Sequence, residues 1–174
     1  QDVGIKAISI HGRTRKQMYK GDADWSLIAK VKENARMNIP VFGNGDITDP
    51  AKAVEYRDKY GVDGIMIGRA SIGYPWVFNE IKHFMKTGEY LAPPTIVDRV
   101  KATRRHLEMS LKWKGERLGV VEMRRHYSNY FRGIPHFKEH RMALVTEMAP
   151  TILFEKLDHI SDLFKDFEFN SQNA

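Results

Sequence analysis

Three short apolar runs, each followed by a segment with helical periodicity, constrain the fold of this chain more than any other feature. The runs AISI (residues 7–10), IPVFG (39–43) and GIMIG (64–68) have the length and the β-branched content of buried strands. Amphipathic helices are predicted after them, at residues 24–35, 49–61 and 74–88. Apolar strands that alternate with amphipathic helices predict a parallel sheet with helices on both faces.

The ends of these helices carry recognisable signals. Asp24 and Asp49 are predicted N-caps of the first two helices, and Pro50 suits the first helical position of the second. Gly61 and Gly88 are predicted to end the second and third helices, because glycine adopts the left-handed conformation found after a helix C-terminus.

The second half of the chain predicts a different architecture. The segment LAPPT contains paired prolines, which interrupt both helix and sheet, so we assign residues 91–94 as a linker. Four helices are predicted after it, at residues 95–114, 116–131, 138–148 and 150–164, with frayed residues at the end. We therefore expect an α/β domain at residues 1–90 and a small helical bundle at residues 95–174.

Three βα units are few for a complete α/β domain, since a (β/α)8 TIM barrel has eight of them. The chain also opens QDVGIKAISI, with no initiator Met and a short approach to the first strand. We therefore expect this chain to be the C-terminal part of a longer protein.

Composition excludes some classes of protein. The chain is 42% hydrophobic and 29% charged, which is typical of a globular protein. It has no apolar run long enough to span a membrane and no recognisable signal peptide. The absence of cysteine excludes disulfides, thiolate metal sites and a cysteine nucleophile or acid within these residues, and suits a cytoplasmic protein.

Positive charge is concentrated in one segment. Residues 95–141 contain twelve Lys and Arg against five Asp and Glu, whereas residues 142–174 contain two against six. A basic segment attracts polyanions such as nucleic acid. A solvated helical surface explains the charge equally well.

Polar and glycine residues follow each predicted strand. HGRTR (residues 11–15) follows the first, GNGD (43–46) the second and GRA (68–70) the third. Carboxyl ends of parallel strands share one edge, and in (β/α)8 barrels the last loops of that edge often bind phosphate. Arg69 can bind a phosphate, whereas the anionic Asp46 suits a hydroxyl or a backbone N–H. Alternatively, the glycines only form turns and Asp46 caps a helix.

The sequence contains seven histidines, which are candidate ligands, acids or bases. His11, at a strand end, can hydrogen-bond a planar ligand, act as an acid or base, or only bond its own turn. Arg13 and Arg15 are either substrate contacts or surface charges. The remaining histidines are scattered, without metal-ligand spacing: His83, His106, His126, His136, His140 and His159.

A family resemblance rests on the order of these motifs. ISIHGRTRKQMYKGDADW, IPVFGNGDI and GVDGIMIGRASIGYPWVFNEI resemble the last three βα units of the tRNA-dihydrouridine synthases, which are FMN-dependent TIM-barrel enzymes. Members of this family reduce uridines in tRNA to 5,6-dihydrouridine with NADPH. The segment GVVEMRRHYSNYFRGIPHFKEHRMALV resembles the C-terminal tRNA-binding domain of the family.

The resemblance implies roles for individual residues. It implies FMN ribityl-phosphate contacts from Asn44, Gly45, Asp46, Gly68 and Arg69. It implies that His11 contacts the isoalloxazine ring and that Arg13 reaches toward substrate. The catalytic cysteine of the family lies in an earlier strand, so the resemblance implies half of a flavin site here and no general acid, and we expect the chain alone to be inactive.

The basic helices are consistent with tRNA binding. Arg125 and Arg132 are seven residues apart, as are Arg117 and Arg124, so each pair shares a helix face. We take Arg124, Arg125 and Arg132 as candidate tRNA contacts. Interleaved aromatic residues suit unstacked bases, although we expect Tyr130 and Phe131 to be core residues.

Two alternatives remain open at this point. The chain can belong to another FMN- or phosphate-binding barrel that acts on a small metabolite, or it can be a non-catalytic RNA-binding module. Because three parallel strands cannot close a barrel and leave strand edges and an apolar face uncovered, we also expect the isolated chain to associate with itself, for example by sharing strands between copies, or to be poorly soluble.

Overall fold

The computed structural model describes residues 1–169 and divides them into two compact units. The first unit comprises Gln1–Ser71 and Pro75–Leu91, and the second comprises Ile72–Tyr74 and the described chain from Ala92 onward. The strands are β1 (Ile8–His11), β2 (Val41–Asn44) and β3 (Gly64–Met66), and the helices are α1 (Ser26–Lys32), α2 (Pro50–Tyr60), α3 (Val77–Thr87), α4 (Ile96–Tyr130), α5 (Lys138–Thr146) and α6 (Pro150–Leu163).

The first unit is a β-α-β-α-β-α arrangement, as the sequence predicts. The three strands are parallel and pair in the order β1-β2-β3. Each strand is therefore next to the strand that precedes it in sequence, as in consecutive units of a parallel α/β fold. The carboxyl ends of all three strands lie at one edge of the sheet.

One face of this sheet is open, which corrects the expectation of helices on both faces. Val41 and Gly43 face the buried side, whereas Phe42 and Met66, on the opposite side, are 37% and 49% exposed. The physical reason is the handedness of the connections, because right-handed crossovers between consecutive neighbouring strands place all the helices on one side. The sequence pattern alone could not distinguish one covered face from two.

The ends of α2 and α3 confirm the predicted signals. The Asp49 carboxylate accepts a hydrogen bond from the Lys52 backbone N–H at 3.0 Å, and Pro50 is the first residue of α2. Gly61 and Gly88 follow α2 and α3 with φ of 60° and 75°. These positive φ angles are the reason that glycine occupies both sites.

The predicted N-cap of α1 is wrong. Helical backbone angles begin at Trp25, and α1 runs from Ser26. Asp24 instead accepts a hydrogen bond from the nearby Ser26 N–H at 2.9 Å. Trp25 is 1% exposed, and its indole N–H donates to the Gly45 carbonyl at 2.9 Å. Burial of this indole fixes where the helix begins.

The second unit contains a helical hairpin. Helix α4 is interrupted at Gly115, where φ is 75° and ψ is 168°, so the two helices predicted on either side of this residue are confirmed. The Ser110 hydroxyl donates to the Gly119 carbonyl at 3.1 Å, and the rings of His106 and His126 are 4.6 Å apart. Residues 96–114 and 116–130 therefore pack antiparallel, and α5 and α6 complete the bundle.

Aromatic residues and one arginine form part of this bundle core. Tyr130 and Phe131 are 5% and 2% exposed, which confirms their prediction as core residues, and Tyr127 is also fully buried. The Arg99 guanidinium donates to the Pro94 carbonyl at 3.3 Å and lies 3.5 Å from the centre of the Phe169 ring. The expectation of a frayed end is therefore wrong at Phe169, whereas residues 170–174 lie outside the described residues.

We predict that Gly43→Ala destabilises the 174-residue chain. A Cβ at this position would overlap the buried Trp25 ring, so we expect a loss of about 1–3 kcal/mol in the free energy of unfolding. Urea denaturation followed by circular dichroism measures this loss.

Gly68→Ala is the matched control, because a Cβ at Gly68 meets no atom within 4 Å. We expect the control to remain within about 0.5 kcal/mol of the parent. Equal stability of the two variants would contradict this packing account.

Candidate functional site

The polar segments that follow the three strands meet at the carboxyl edge of the sheet. His11 at the end of β1 lies in register with Asn44 at the end of β2, and Asn44 lies in register with Met66 at the end of β3. The Gly12 N–H continues the ladder and donates to the Asn44 carbonyl at 2.8 Å. We call this edge, with the loops that follow each strand, the rim.

The loop after β1 closes tightly onto the rim. The Asp24 N–H donates to the Gly12 carbonyl at 2.7 Å, which brings the end of this loop back to the end of β1. A Cβ at Gly12 would lie 2.9 Å from the Ala23 Cβ, and one at Gly45 would lie 2.6 Å from it. Gly45 also has φ of 132°. Glycine is therefore required at both positions for packing and at Gly45 for backbone conformation as well.

The Asp46 carboxylate is the centre of an ion cluster on the rim. Its Oδ1 accepts from Arg13 Nη1 at 2.7 Å and from Arg69 Nη2 at 2.9 Å. Its Oδ2 accepts from Arg13 Nη2 at 2.7 Å and from the Ala23 backbone N–H at 2.8 Å. One carboxylate thus connects the loops that follow β1, β2 and β3. We call Arg13, Asp46 and Arg69 the rim ion cluster.

The members of the rim ion cluster differ in their exposure to solvent. The side chains of Arg13, Asp46 and Arg69 are 5%, 17% and 55% exposed. Hydrogen bonding from Arg13 lowers the pKa of Asp46, and this effect exceeds the opposing effect of burial. Asp46 is therefore ionised at neutral pH. With two arginines and one aspartate, the cluster has an excess positive charge, and its exposed cation is Arg69.

Two of the alternatives for Asp46 are now distinguished. The sequence predicted either a helix cap or a partner such as a hydroxyl or a backbone N–H. Asp49, rather than Asp46, caps α2. Asp46 has φ of 57°, a left-handed conformation that Asp and Asn tolerate better than most residues, and it binds the Ala23 N–H.

Arg69 lies beside an open part of the rim. It begins a short 3-10 turn, Arg69–Ser71, in which the Ser71 N–H and hydroxyl donate to the Gly68 carbonyl at 3.0 and 2.8 Å. The Arg69 guanidinium lies over the Tyr19 ring, 4.6 Å from its centre. No atom lies within 4 Å of a Cβ built at Gly68. An anion therefore has room to approach the Gly68 backbone and the Arg69 side chain together.

His11 and Arg13 have different surroundings on the rim. His11 is exposed, and its Nδ1 accepts a hydrogen bond from the Arg13 backbone N–H at 2.9 Å. In neutral His11 this bond assigns the ring proton to Nε2, which can donate to a ligand. Arg13 is buried and donates from Nε to the Gly21 carbonyl at 3.1 Å in addition to binding Asp46. Its assignment as a substrate contact stays a prediction.

The three candidate arginines of the helical unit are not equivalent. Arg125 is 70% exposed, with its guanidinium 3.8 Å from the Glu122 carboxylate, and Arg132 is exposed just after α4. Arg124 is only partly exposed, and its Nη2 contacts the Met148 sulfur at 2.9 Å. Two of the three are therefore available to a polyanion, whereas Arg124 also packs against the bundle.

Sequence reasoning missed Tyr19 and the pairing of Arg13 with Asp46. Tyr19 carried a weak signal, as an aromatic residue in a basic loop between strand and helix. Arg13 and Asp46 are 33 residues apart, and nothing in the sequence marks them as partners. Their pairing follows from the parallel register of β1 and β2.

The comparison with known proteins decides the family. Residues 1–166 match the family model for dihydrouridine synthase. The chain belongs to the dihydrouridine synthase family. It is 43% identical over 154 residues to a probable tRNA-dihydrouridine synthase of Rickettsia conorii, covering 88% of this chain and 46% of that protein. It is 42% identical over 150 residues to tRNA-dihydrouridine synthase B of Xanthomonas axonopodis pv. citri, covering 86% and 45%.

A third relative agrees with this assignment. The chain is 40% identical over 141 residues to tRNA-dihydrouridine synthase B of Pseudomonas putida, covering 81% of this chain and 41% of that protein. The chain thus spans a little under half the length of these curated relatives. Within residues 1–169, none of the helices is long and apolar enough to cross a membrane.

Proposed function

We propose that this chain supplies the flavin-phosphate half of the active site of a tRNA-dihydrouridine synthase. The whole enzyme is then an FMN-dependent oxidoreductase that reduces uridine in tRNA to 5,6-dihydrouridine, with NADPH as the reductant. Family membership and the names of the relatives support this proposal. The structural observation that carries it is the exposed Arg69 guanidinium beside the open backbone of Gly68, at the carboxyl end of a parallel strand.

We propose that the three βα units are the last three of a TIM barrel. Two observations support this arrangement. The strands follow one another without crossing over, and the face opposite the helices is exposed at Phe42 and Met66. In a closed barrel this face lines the interior, where side chains from the other strands cover it. In this proposal residues 95–174 form the tRNA-binding domain.

The residues on the rim fit the parts of an FMN molecule. Gly68 and Arg69 fit the phosphate, because the glycine leaves its backbone accessible and the guanidinium supplies charge-assisted hydrogen bonds. Asn44 lies at the neighbouring strand end and is partly exposed, so it fits the ribityl-phosphate, whereas the contact of the buried Gly45 rests on the family resemblance alone. His11 fits the ring, because its exposed imidazole is oriented by the Arg13 N–H.

Each part of the chemistry then has a separate source. A bound FMN would supply, in its reduced form, the hydride for the uracil ring, and NADPH would supply that hydride to the flavin. The residues of this chain bind and orient the flavin, and those of the helical unit bind the tRNA. The family resemblance implies a cysteine as the proton donor of the reaction, and this chain has no cysteine, so we assign the donor to a residue outside it.

Replacing Arg69 tests the phosphate site. The test uses the full-length protein, by which we mean this chain together with the barrel strands that we propose to precede it. We expect Arg69→Ala to weaken FMN binding by roughly 1–3 kcal/mol, since a hydrogen bond to a charged group is lost. Flavin fluorescence titration measures the affinity.

Arg36→Ala is the matched control, because Arg36 is also exposed but lies before β2, at the opposite edge of the sheet. We expect FMN affinity of the control to equal that of the parent. Unchanged FMN affinity in Arg69→Ala would remove Arg69 from the site and with it the main support for the proposal.

The basic surface of the helical unit supports the tRNA part of the proposal. Nine of the twelve basic residues in segment 95–141 are exposed, and the exceptions are Arg99, Arg104 and Arg124. The exposed residues are Lys101, Arg105, Lys112, Lys114, Arg117, Arg125, Arg132, Lys138 and Arg141. Contacts from these residues should be mainly with phosphates, because duplex RNA displays few base edges to side chains.

Salt dependence of tRNA binding tests this surface. We predict that Arg125→Ala combined with Arg132→Ala weakens tRNA binding by the full-length protein. The slope of log affinity against log salt should flatten by about one unit for each lost phosphate contact. Filter binding across a salt series gives the slope. Arg124 is left in place, because its replacement would also remove its contact with Met148. A loss of folding could then not be distinguished from a loss of tRNA binding.

Lys30→Ala combined with Arg36→Ala is the matched control, since it removes two exposed positive charges from the other unit. We expect it to leave the slope unchanged. If the salt slope of tRNA binding is the same in the Arg125 and Arg132 variant as in the parent, the basic surface is exposed to solvent but does not contact tRNA. An enzyme acting on a small metabolite would then be the better hypothesis.

We also propose that the 174-residue chain associates with itself when separated from the rest of the barrel. Phe42 and Met66 are exposed on the open face of the sheet, and β1 and β3 each have one unpaired edge among the described residues. Light scattering coupled to size exclusion should give a mass above 20.2 kDa at micromolar concentration. A stable monomer would contradict this expectation.

A further inference from the structure

We infer that Asp46 is a positioning residue, whose carboxylate fixes the Arg69 guanidinium at the phosphate end of the flavin site and does not itself contact the flavin. This inference rests on the proposed function and makes it more specific. It replaces the expectation, drawn from the family resemblance, that Asp46 binds the ribityl-phosphate part of FMN.

The Asp46 carboxylate is already saturated with hydrogen bonds. An ionised carboxylate has about four lone-pair sites for hydrogen bonds. Oδ1 accepts from Arg13 and from Arg69, and Oδ2 accepts from Arg13 and from the Ala23 N–H, all at 2.7–2.9 Å. A ribityl hydroxyl that donated to Asp46 would have to displace one of these partners.

The two arginines bound to Asp46 differ in their exposure to solvent and in their other partners. Arg13 is 5% exposed and is also bonded to the Gly21 carbonyl, so it fixes the carboxylate from the buried side. Arg69 is 55% exposed and reaches Asp46 through one nitrogen, Nη2. Because a guanidinium has five N–H donors, most of the donors of Arg69 remain for another anion.

The conformational freedom of the Arg69 side chain is already restricted in this structure. A long exposed side chain loses considerable conformational entropy when it is fixed by a ligand. In this structure the Asp46 carboxylate binds the edge of the Arg69 guanidinium, and the Tyr19 ring lies 4.6 Å from it across its face. The side chain is therefore oriented before a phosphate binds, and the entropy loss on binding is smaller.

The charges of the cluster make this role consistent with binding an anion. A lone carboxylate next to a phosphate would repel it. Here two guanidinium groups surround one carboxylate, so the cluster retains a positive charge, and the buried Arg13 compensates Asp46 while the exposed Arg69 faces solvent. Asp46 can thus lie close to a phosphate without repelling it.

The test compares FMN with riboflavin, which lacks the phosphate but retains the ribityl chain and the ring. The full-length protein and its Asp46→Asn variant are titrated with both ligands, and flavin fluorescence gives each affinity. Asn is the appropriate replacement because it also tolerates the positive φ of 57° at this position.

A positioning role predicts a larger loss of affinity for FMN than for riboflavin. We expect Asp46→Asn to weaken FMN binding by roughly five- to tenfold more than it weakens riboflavin binding, because a disturbed rim affects both ligands whereas a released Arg69 affects only the phosphate. In the double variant with Arg69→Ala, we expect the ratio of FMN to riboflavin affinity to equal that of Arg69→Ala alone, since both changes remove the same interaction with the phosphate.

Two results would overturn the inference. An equal loss of FMN and riboflavin affinity would show that Asp46 contacts the ribityl chain or the ring. Unchanged FMN affinity in Asp46→Asn, together with a loss in Arg69→Ala, would show that Arg69 does not depend on Asp46. If Arg69→Ala itself has no effect, the proposed phosphate site fails, and that failure is distinguishable from the other two.

Asp63→Asn is the matched control. Asp63 precedes β3 at the opposite edge of the sheet, where its Oδ2 lies 2.6 Å from Lys32 Nζ and 2.7 Å from the Val41 backbone N–H. The variant thus loses the ion pair with Lys32 without changing the rim. We expect its ratio of FMN to riboflavin affinity to equal that of the parent.

Asp46→Glu provides a second variant in case Asp46→Asn does not fold. Glutamate retains the charge that compensates the buried Arg13, but its longer side chain moves the carboxylate relative to Arg69. We expect a fall in the ratio of FMN to riboflavin affinity. A parental ratio in this variant would contradict the positioning role.

Discussion

The rim of this protein depends on one partly buried interaction, the bidentate ion pair between Arg13 and Asp46. It connects the loop after β1 to the loop after β2, and Arg69 extends the connection to the loop after β3. Exposed ion pairs contribute little stability, but Arg13 is 5% exposed, so removal of its partner would leave a nearly buried charge uncompensated. The main role of the cluster is therefore structural, because it sets the positions of the three strand ends relative to one another.

Glycine serves two distinct purposes around this cluster. Gly43 and Gly45 are needed because a side chain at either position would overlap Trp25 or Ala23, and Gly45 also has a positive φ. Gly68 has open space around it, and nothing in its packing requires glycine. A glycine without a packing reason, next to an exposed arginine, is the position where a ligand explains the residue best.

Much of the fold could be predicted from the sequence. Periodicity and capping residues such as Asp49 and Gly61 identified the helices, and Gly115 divided the long helical segment correctly. The sequence could not show which face of the sheet is open, because exposed Phe42 and buried Val41 have similar apolar character. It also could not show that Arg124 packs against Met148 whereas Arg125 is exposed, because neighbouring helical arginines differ only through tertiary contacts.

The location of the candidate site could be predicted from the sequence, but the contacts between its side chains could not. The motifs that contain Asn44, Asp46 and Arg69 do meet at one edge, as parallel topology requires. The pairing of Asp46 with Arg13 and Arg69 depends on the register of the strands and on the closing of the loop that contains Ala23. Such contacts join residues far apart in the sequence, so residue type and local spacing do not reveal them.

The central claim is that this chain contributes the part of a flavin site that recognises phosphate. The most direct test is the affinity of the unmodified full-length protein for FMN and for riboflavin under the same conditions. Because the phosphate would gain charge-assisted hydrogen bonds from Arg69 and the backbone of Gly68, FMN should bind at least about tenfold more tightly. Equal affinity for the two flavins would contradict the account.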